Sequence, residues 1–94
     1  MNRVLFSHSS DEWETPQDLF DKLDNEFHFE LDVCASDDNH KCSLYLTKLD
    51  MCYVWDNYRV WCNPPYSNIK NWVKRCSEHS NLAVMLLPAR TDTR

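Results

Sequence analysis

Residues 59–66, Arg-Val-Trp-Cys-Asn-Pro-Pro-Tyr, limit the folds open to this chain more than any other stretch. Val60, Trp61 and Cys62 form a short apolar, strand-like run. The prolines behind it must end the strand, because proline has no N–H and locks φ. The residue before a proline is barred from the α region, so Asn63 and Pro64 are both held extended. Ser67 is a good N-cap, and Ile69, Trp72, Val73 and Cys76 recur at helical spacing, which predicts a helix from Ser67 to about His79. This strand, stiff turn and helix place Asn63 and the Pro64 carbonyl at a strand's carboxyl end. In open α/β sheets ligands bind at that edge. The bland alternative is a rigid strand-to-helix turn, but an acceptor, two prolines and an aromatic after an apolar strand form a fairly specific combination.

The flanking sequence extends the same pattern. Leu82-Ala83-Val84-Met85-Leu86-Leu87 reads as a parallel strand buried on both faces and ended by Pro88. Upstream, Trp13-Glu14-Thr15-Pro16 predicts a helix start, with Thr15 as N-cap, Pro16 at the first helical position and Asp18 in the first turn. Leu19, Phe20, Leu23 and Phe27 give that helix one apolar face. Phe29, Leu31 and Val33 then alternate with Glu30 and Asp32, a strand pattern in which Asp32 falls on the solvated side. Leu44, Tyr45 and Leu46 predict another short strand, and Tyr53, Trp55 and Tyr58 read as core and strand faces. Residues 1–12 are polar and serine-rich after Val4-Leu5-Phe6 and read as an arm, ordered only if something packs on it. Residues 13–94 are expected to form the domain.

Composition sets the outer limits. A chain of 94 residues allows one small domain, which buries only roughly 60–65% of its unfolded surface. It contains no glycine, which excludes a glycine-rich phosphate loop or the usual dinucleotide fingerprint. Any cofactor loop must be built differently. A net charge of −5 argues against a strong nonspecific nucleic-acid binder. A local basic face remains, with Lys70, Lys74 and Arg75 on the predicted second helix and Arg90 and Arg94 near the end. Taken alone these are a solvated helix face and a polar tail. Five cysteines, at 34, 42, 52, 62 and 76, form no CxxC pair, leave one over in any pairing and follow no signal peptide. Reduced thiols in a cytoplasm are the expectation. Cys34, His40, Cys42 and Cys52 match no usual zinc spacing, so no metal is expected. The longest apolar run, Leu82 to Leu87, is too short to span a bilayer.

The quartet Asn63-Pro64-Pro65-Tyr66 resembles motif IV of amino-group methyltransferases that use S-adenosylmethionine. Trp13-Glu14-Thr15-Pro16 and Leu31-Asp32-Val33-Cys34-Ala35 look like motifs X and I of adenine methyltransferases. Together with Asn39-His40-Lys41-Cys42 and Leu86-Leu87-Pro88-Ala89-Arg90-Thr91-Asp92-Thr93, in matching order and spacing, they resemble the phage-type DNA N6-adenine methyltransferases, the Dam-like enzymes of bacteriophages and prophages. The resemblance covers most of the chain. It implies a partial Rossmann-like α/β sheet with flanking helices, lacking the last strands, and methyl transfer to adenine in double-stranded DNA, protecting it from restriction in a bacterial host cytoplasm.

The same resemblance assigns roles. An exocyclic amine conjugated to a purine is a poor nucleophile; the Asn63 side-chain oxygen and the Pro64 carbonyl would accept its two hydrogens and turn its lone pair toward the methyl donor. Pro65 would stiffen the turn and Tyr66 would stack on the base, an interaction worth roughly 1–3 kcal/mol. Trp13, Thr15, Pro16, Asp32, Cys34 and Ala35 would seat S-adenosylmethionine, Asp32 holding its amino end. Asp50, favoured slightly over Asp56, would bind the ribose or adenine amine. Lys70, Lys74, Arg75 and Arg90 would meet DNA. Family motif I usually contains glycine, and this one does not. The chain also stops where the family continues, so a bare sheet edge beyond Leu82–Leu87 is expected, open to self-association. The rival readings are an inactive fragment serving as a dimerising or interaction module, and a methyltransferase acting on protein glutamine or RNA.

Overall fold

A computed structural model of the chain describes residues 2–7, 15–50 and 54–88, with the backbone alone at 2–7, 48, 66 and 88. Four strands form one sheet in the order β1-β4-β3-β2: β1 (Asn2–Ser7), β2 (Leu31–Asp32), β3 (Val60–Cys62) and β4 (Ala83–Pro88). Every pairing is parallel. A parallel sheet needs cover on both faces, and side-chain alternation along β3 and β4 supplies it. Val60, Cys62, Ala83 and Met85 face one way, against Trp72 and Cys76 of α2 (Ile69–Ser77). Trp61, Val84 and Leu86 face the other way, against Phe20 of α1 (Gln17–Phe27). Trp61, only 1% exposed, meets Phe20 edge-on with ring centroids 5.4 Å apart and Phe29 at the same distance. Such pairs add about 0.5–1.5 kcal/mol each to area burial. The arrangement is a partial Rossmann-like α/β fold.

Several sequence expectations need correction. The first residues of the predicted arm form β1, which pairs with β4 from Asn2↔Ala83 to Ser7↔Pro88. The β4 edge that was expected to be bare, and open to self-association, is therefore covered by this chain's own β1. The strand predicted over Phe29–Val33 shortens to Leu31–Asp32, and the one predicted at Leu44–Leu46 is a single parallel bridge, Asp32↔Tyr45. That bridge lines the outer side of β2, with the Asp32 N–H donating to Leu44 O at 3.1 Å and the Leu46 N–H to Asp32 O at 2.8 Å. Trp55 is core, as expected, stacked on Trp72.

Both helices start later than the sequence suggests. Pro16, not Thr15, occupies the N-cap position of α1, and no side chain caps it. Ser67 lies in a 3₁₀ turn (Tyr66–Asn68), and Asn68 stands at the N-cap of α2. The end of α1 shows what the absence of glycine entails. His28 takes the left-handed conformation there, φ 56°, at a cost of roughly 1–2 kcal/mol. Asp24 secures it: its carbonyl accepts the His28 N–H and its carboxylate the Phe29 N–H, both at 2.8 Å.

Candidate active site

The carboxyl ends of β2 and β3 lie side by side, since Leu31 and Asp32 pair in register with Val60 and Trp61. Asn63 follows β3 directly, and strand alternation sends its side chain to the α1 face. There the Asn63 Nδ2 donates to Thr15 Oγ1 at 3.0 Å. Thr15 is 5% exposed. Its hydroxyl therefore serves Asn63, 48 residues away, and does not cap the helix that follows it. This bond fixes where the carboxamide sits, with its NH₂ end on Thr15 and its oxygen as the acceptor end. Pro64 is fully buried and Pro65 half-buried. The Pro65 carbonyl accepts the Asn68 N–H at 3.1 Å and closes the turn into α2.

Asp32 organises the neighbouring loop. It is 3% exposed, on the Trp61 side of the sheet, so the solvated position expected from alternation is wrong. One carboxylate oxygen accepts the Lys41 N–H at 2.9 Å and the other the Cys34 N–H at 3.3 Å. Burial pushes the Asp32 carboxyl above its ordinary range, against the opposing pull of those two N–H groups and of His40 and Lys41. Between these anchors the loop ties itself down. Ser36 and Asn39 exchange two backbone hydrogen bonds, both 3.1 Å. The His40 and Tyr45 rings stack at 3.9 Å, and Tyr45 Oη donates to Asp37 at 2.7 Å. The loop is held in this way without any glycine.

The family model for DNA N-6-adenine-methyltransferase (Dam) matches residues 4–94. The chain belongs to this family. It is 36% identical over 90 residues to a DNA N-6-adenine-methyltransferase of Escherichia phage T1, covering 88% of this chain and 38% of the relative. A second such enzyme, from Haemophilus phage HP1, is 33% identical over 92 residues, covering 89% of this chain and 53% of the relative. The chain thus spans about half or less of the length of these relatives. No solved structure matches it.

The fold brings together three of the family motifs at one sheet edge: Thr15 with Pro16, Asp32 with Cys34 and Ala35, and Asn63 with the two prolines. Ala35 donates its N–H to Leu46 O at 2.9 Å, so it too is held in the β2 loop. Burial pushes the Cys34 and Cys42 thiols up to about 12 and also raises Cys62 well above its ordinary value. They are protonated at neutral pH. Trp13 and Arg90 lie outside the described residues, as does the Tyr66 side chain. Among the described residues no group of three His, Cys, Asp or Glu side chains could hold a metal.

Other assignments fare differently. The Asp50 carboxylate accepts the Thr47 N–H at 2.9 Å and the Thr47 hydroxyl at 3.1 Å, while Thr47 Oγ1 accepts the Leu49 N–H. That is a reciprocal cap on its own 3₁₀ turn. Asp56 sits in an exposed turn with φ 51°. Lys70 is exposed at the start of α2, near the site edge, whereas Lys74 and Arg75 lie in its last turn, toward the opposite edge. Lys74 pairs with Glu78 at 3.0 Å, and Arg75 lies over the Trp55 ring at 4.5 Å. A groove of about 490 Å³ lined by Trp55, Arg75, Glu78 and His79 belongs to that opposite edge, away from the motifs. The Thr15 contact with Asn63, the amide of Lys41 and the His40–Tyr45 clamp were missed from sequence. Only the Asn39-His40-Lys41-Cys42 match pointed near them, and it carried no role.

Proposed function

We propose that this chain takes part in transfer of a methyl group from S-adenosylmethionine to the N6 amine of adenine in double-stranded DNA. The supporting observation is the Asn63 carboxamide, held by Thr15 at the carboxyl edge of the sheet beside the loop gathered by Asp32. The residues there suit the cofactor's chemistry: Asp32 is a buried carboxylate whose raised pKa an approaching ammonium would relieve, and the nearest thiols are protonated. S-adenosylmethionine, when bound, supplies an electrophilic methyl group on a sulfonium. Asp32, Cys34 and Ala35 shape the loop that would hold its methionine end, with Thr15 and Pro16 bordering it.

Asn63 Oδ1 and the Pro64 carbonyl accept the two amine hydrogens of an extruded adenine, freeing the nitrogen lone pair for attack. Tyr66 stacks on the base, as the family resemblance implies. Both relatives named above act on DNA by their names, which favours DNA over a protein glutamine or RNA substrate. Lys70 is the described cation best placed to meet the duplex. The purified chain is to be incubated with S-adenosylmethionine and unmethylated duplex DNA and N6-methyladenine counted by mass spectrometry. Asn63→Ala should reduce product by about a hundredfold or more. Equal product from Asn63→Ala would remove Asn63 from the reaction, and absence of product from folded wild type would sink the activity itself.

A further inference from the structure

We infer that Thr15 is a positioning residue for Asn63 and not a cofactor ligand, an inference that rests on the function proposed above. Thr15 precedes α1 and sits where a capping hydroxyl would be expected, yet no side chain caps α1. The hydroxyl is instead buried and accepts from Asn63 Nδ2 at 3.0 Å. An asparagine amide can rotate by half a turn with little change in shape, which exchanges its donor and acceptor ends. If the NH₂ end faced an incoming amine, donor would oppose donor and the amine hydrogens would find no acceptor. A hydroxyl can donate as well as accept, so the bond does not by itself choose between the two ends of the amide. It fixes the side-chain torsions of Asn63, and with Nδ2 on Thr15 the Oδ1 end is the one that can draw a hydrogen from the target amine.

The chain geometry explains why this task falls to Thr15. Pro64 and Pro65 hold the Asn63 backbone extended, but they do nothing to the rotation of its side chain. Thr15 reaches it because α1 covers the Trp61 face of the sheet, the face to which alternation sends Asn63. Serine keeps the hydroxyl and drops one methyl group. Valine keeps the shape and drops the hydroxyl.

Thr15→Ser and Thr15→Val are compared by three readouts: the side-chain NH₂ signals of Asn63 in nitrogen-15 NMR spectra, the affinity for S-adenosylhomocysteine, and methyl transfer to DNA at saturating cofactor. Positioning predicts that Thr15→Val shifts or broadens the Asn63 signals. It also lowers saturated turnover by about tenfold to a hundredfold, with S-adenosylhomocysteine affinity within twofold of wild type. Thr15→Ser should restore both. A Thr15→Val protein that binds S-adenosylhomocysteine weakly yet turns over normally at saturation would make Thr15 a cofactor ligand and overturn the inference, as would unchanged Asn63 signals. Should wild type transfer no methyl group, the proposed function fails by itself, and the Asn63 signals still decide whether Thr15 sets the amide. If Thr15→Val does not fold, Thr15→Ser still decides: Asn63 signals displaced despite the retained hydroxyl would refute the coupling.

Discussion

Two neighbouring segments at the carboxyl edge of the sheet do the same job by different physics. The turn after β3, Asn63 to Tyr66, is held by covalent geometry, since two prolines restrict the backbone whatever surrounds them. The loop after β2, from Val33 to Cys42, has neither proline nor glycine. It is held by convergence: the Asp32 carboxylate draws in the N–H groups of Cys34 and Lys41, and the His40–Tyr45 stack closes the far side. The proline turn should therefore tolerate changes of pH and of single side chains. The Asp32 loop should be sensitive to both, because its order depends on one buried, ionisable group.

Asp32→Ala gives the sharpest break in this comparison. It leaves two backbone N–H groups without an acceptor, each costing about 1–3 kcal/mol, so a loss of roughly 2–6 kcal/mol in urea unfolding is expected. Hydrogen exchange should accelerate at Cys34 and Lys41 and stay slow at Asn68, whose partner is the Pro65 carbonyl. Equal acceleration in both segments would mean that the two are one unit.

A smaller effect is the pH response. The folded carboxyl of Asp32 has its pKa raised above the ordinary 3.8, so between those two values the folded state holds a proton that the unfolded state has released. Stability from this group is then greatest at or below pH 3.8 and declines as pH rises through the folded value. Unfolding free energies of wild type and Asp32→Asn, measured across this range, should show wild type losing ground to the variant as pH rises. A difference independent of pH would refute the shift. The smallest change is expected from Pro65→Ala, which adds freedom mainly to the unfolded chain and should cost under about 1 kcal/mol in thermal unfolding. A loss as large as that of Asp32→Ala would mean that the proline turn, too, depends on a network.

The sequence by itself determined the local pieces. Apolar runs at Val60–Cys62 and Leu82–Leu87, the helical spacings of Leu19 to Phe27 and of Ile69 to Cys76, and the stop at Pro64-Pro65 report backbone preference and period, which neighbouring residues encode. The family motifs were legible for the same reason, as short strings in a fixed order, and the family match extends over residues 4–94. What the tertiary structure alone decided depends on contacts between distant residues. Alternation put Asp32 in solvent, but the 44–46 segment lies along β2 and α1 covers that face, so the carboxylate is buried. The first residues were read as part of an arm, yet Asn2–Ser7 extends the sheet beside β4. Thr15 had every local mark of a helix cap. Its hydroxyl went to Asn63 because α1 packs across the end of β3, and no local pattern can express a hydrogen bond that spans 48 residues.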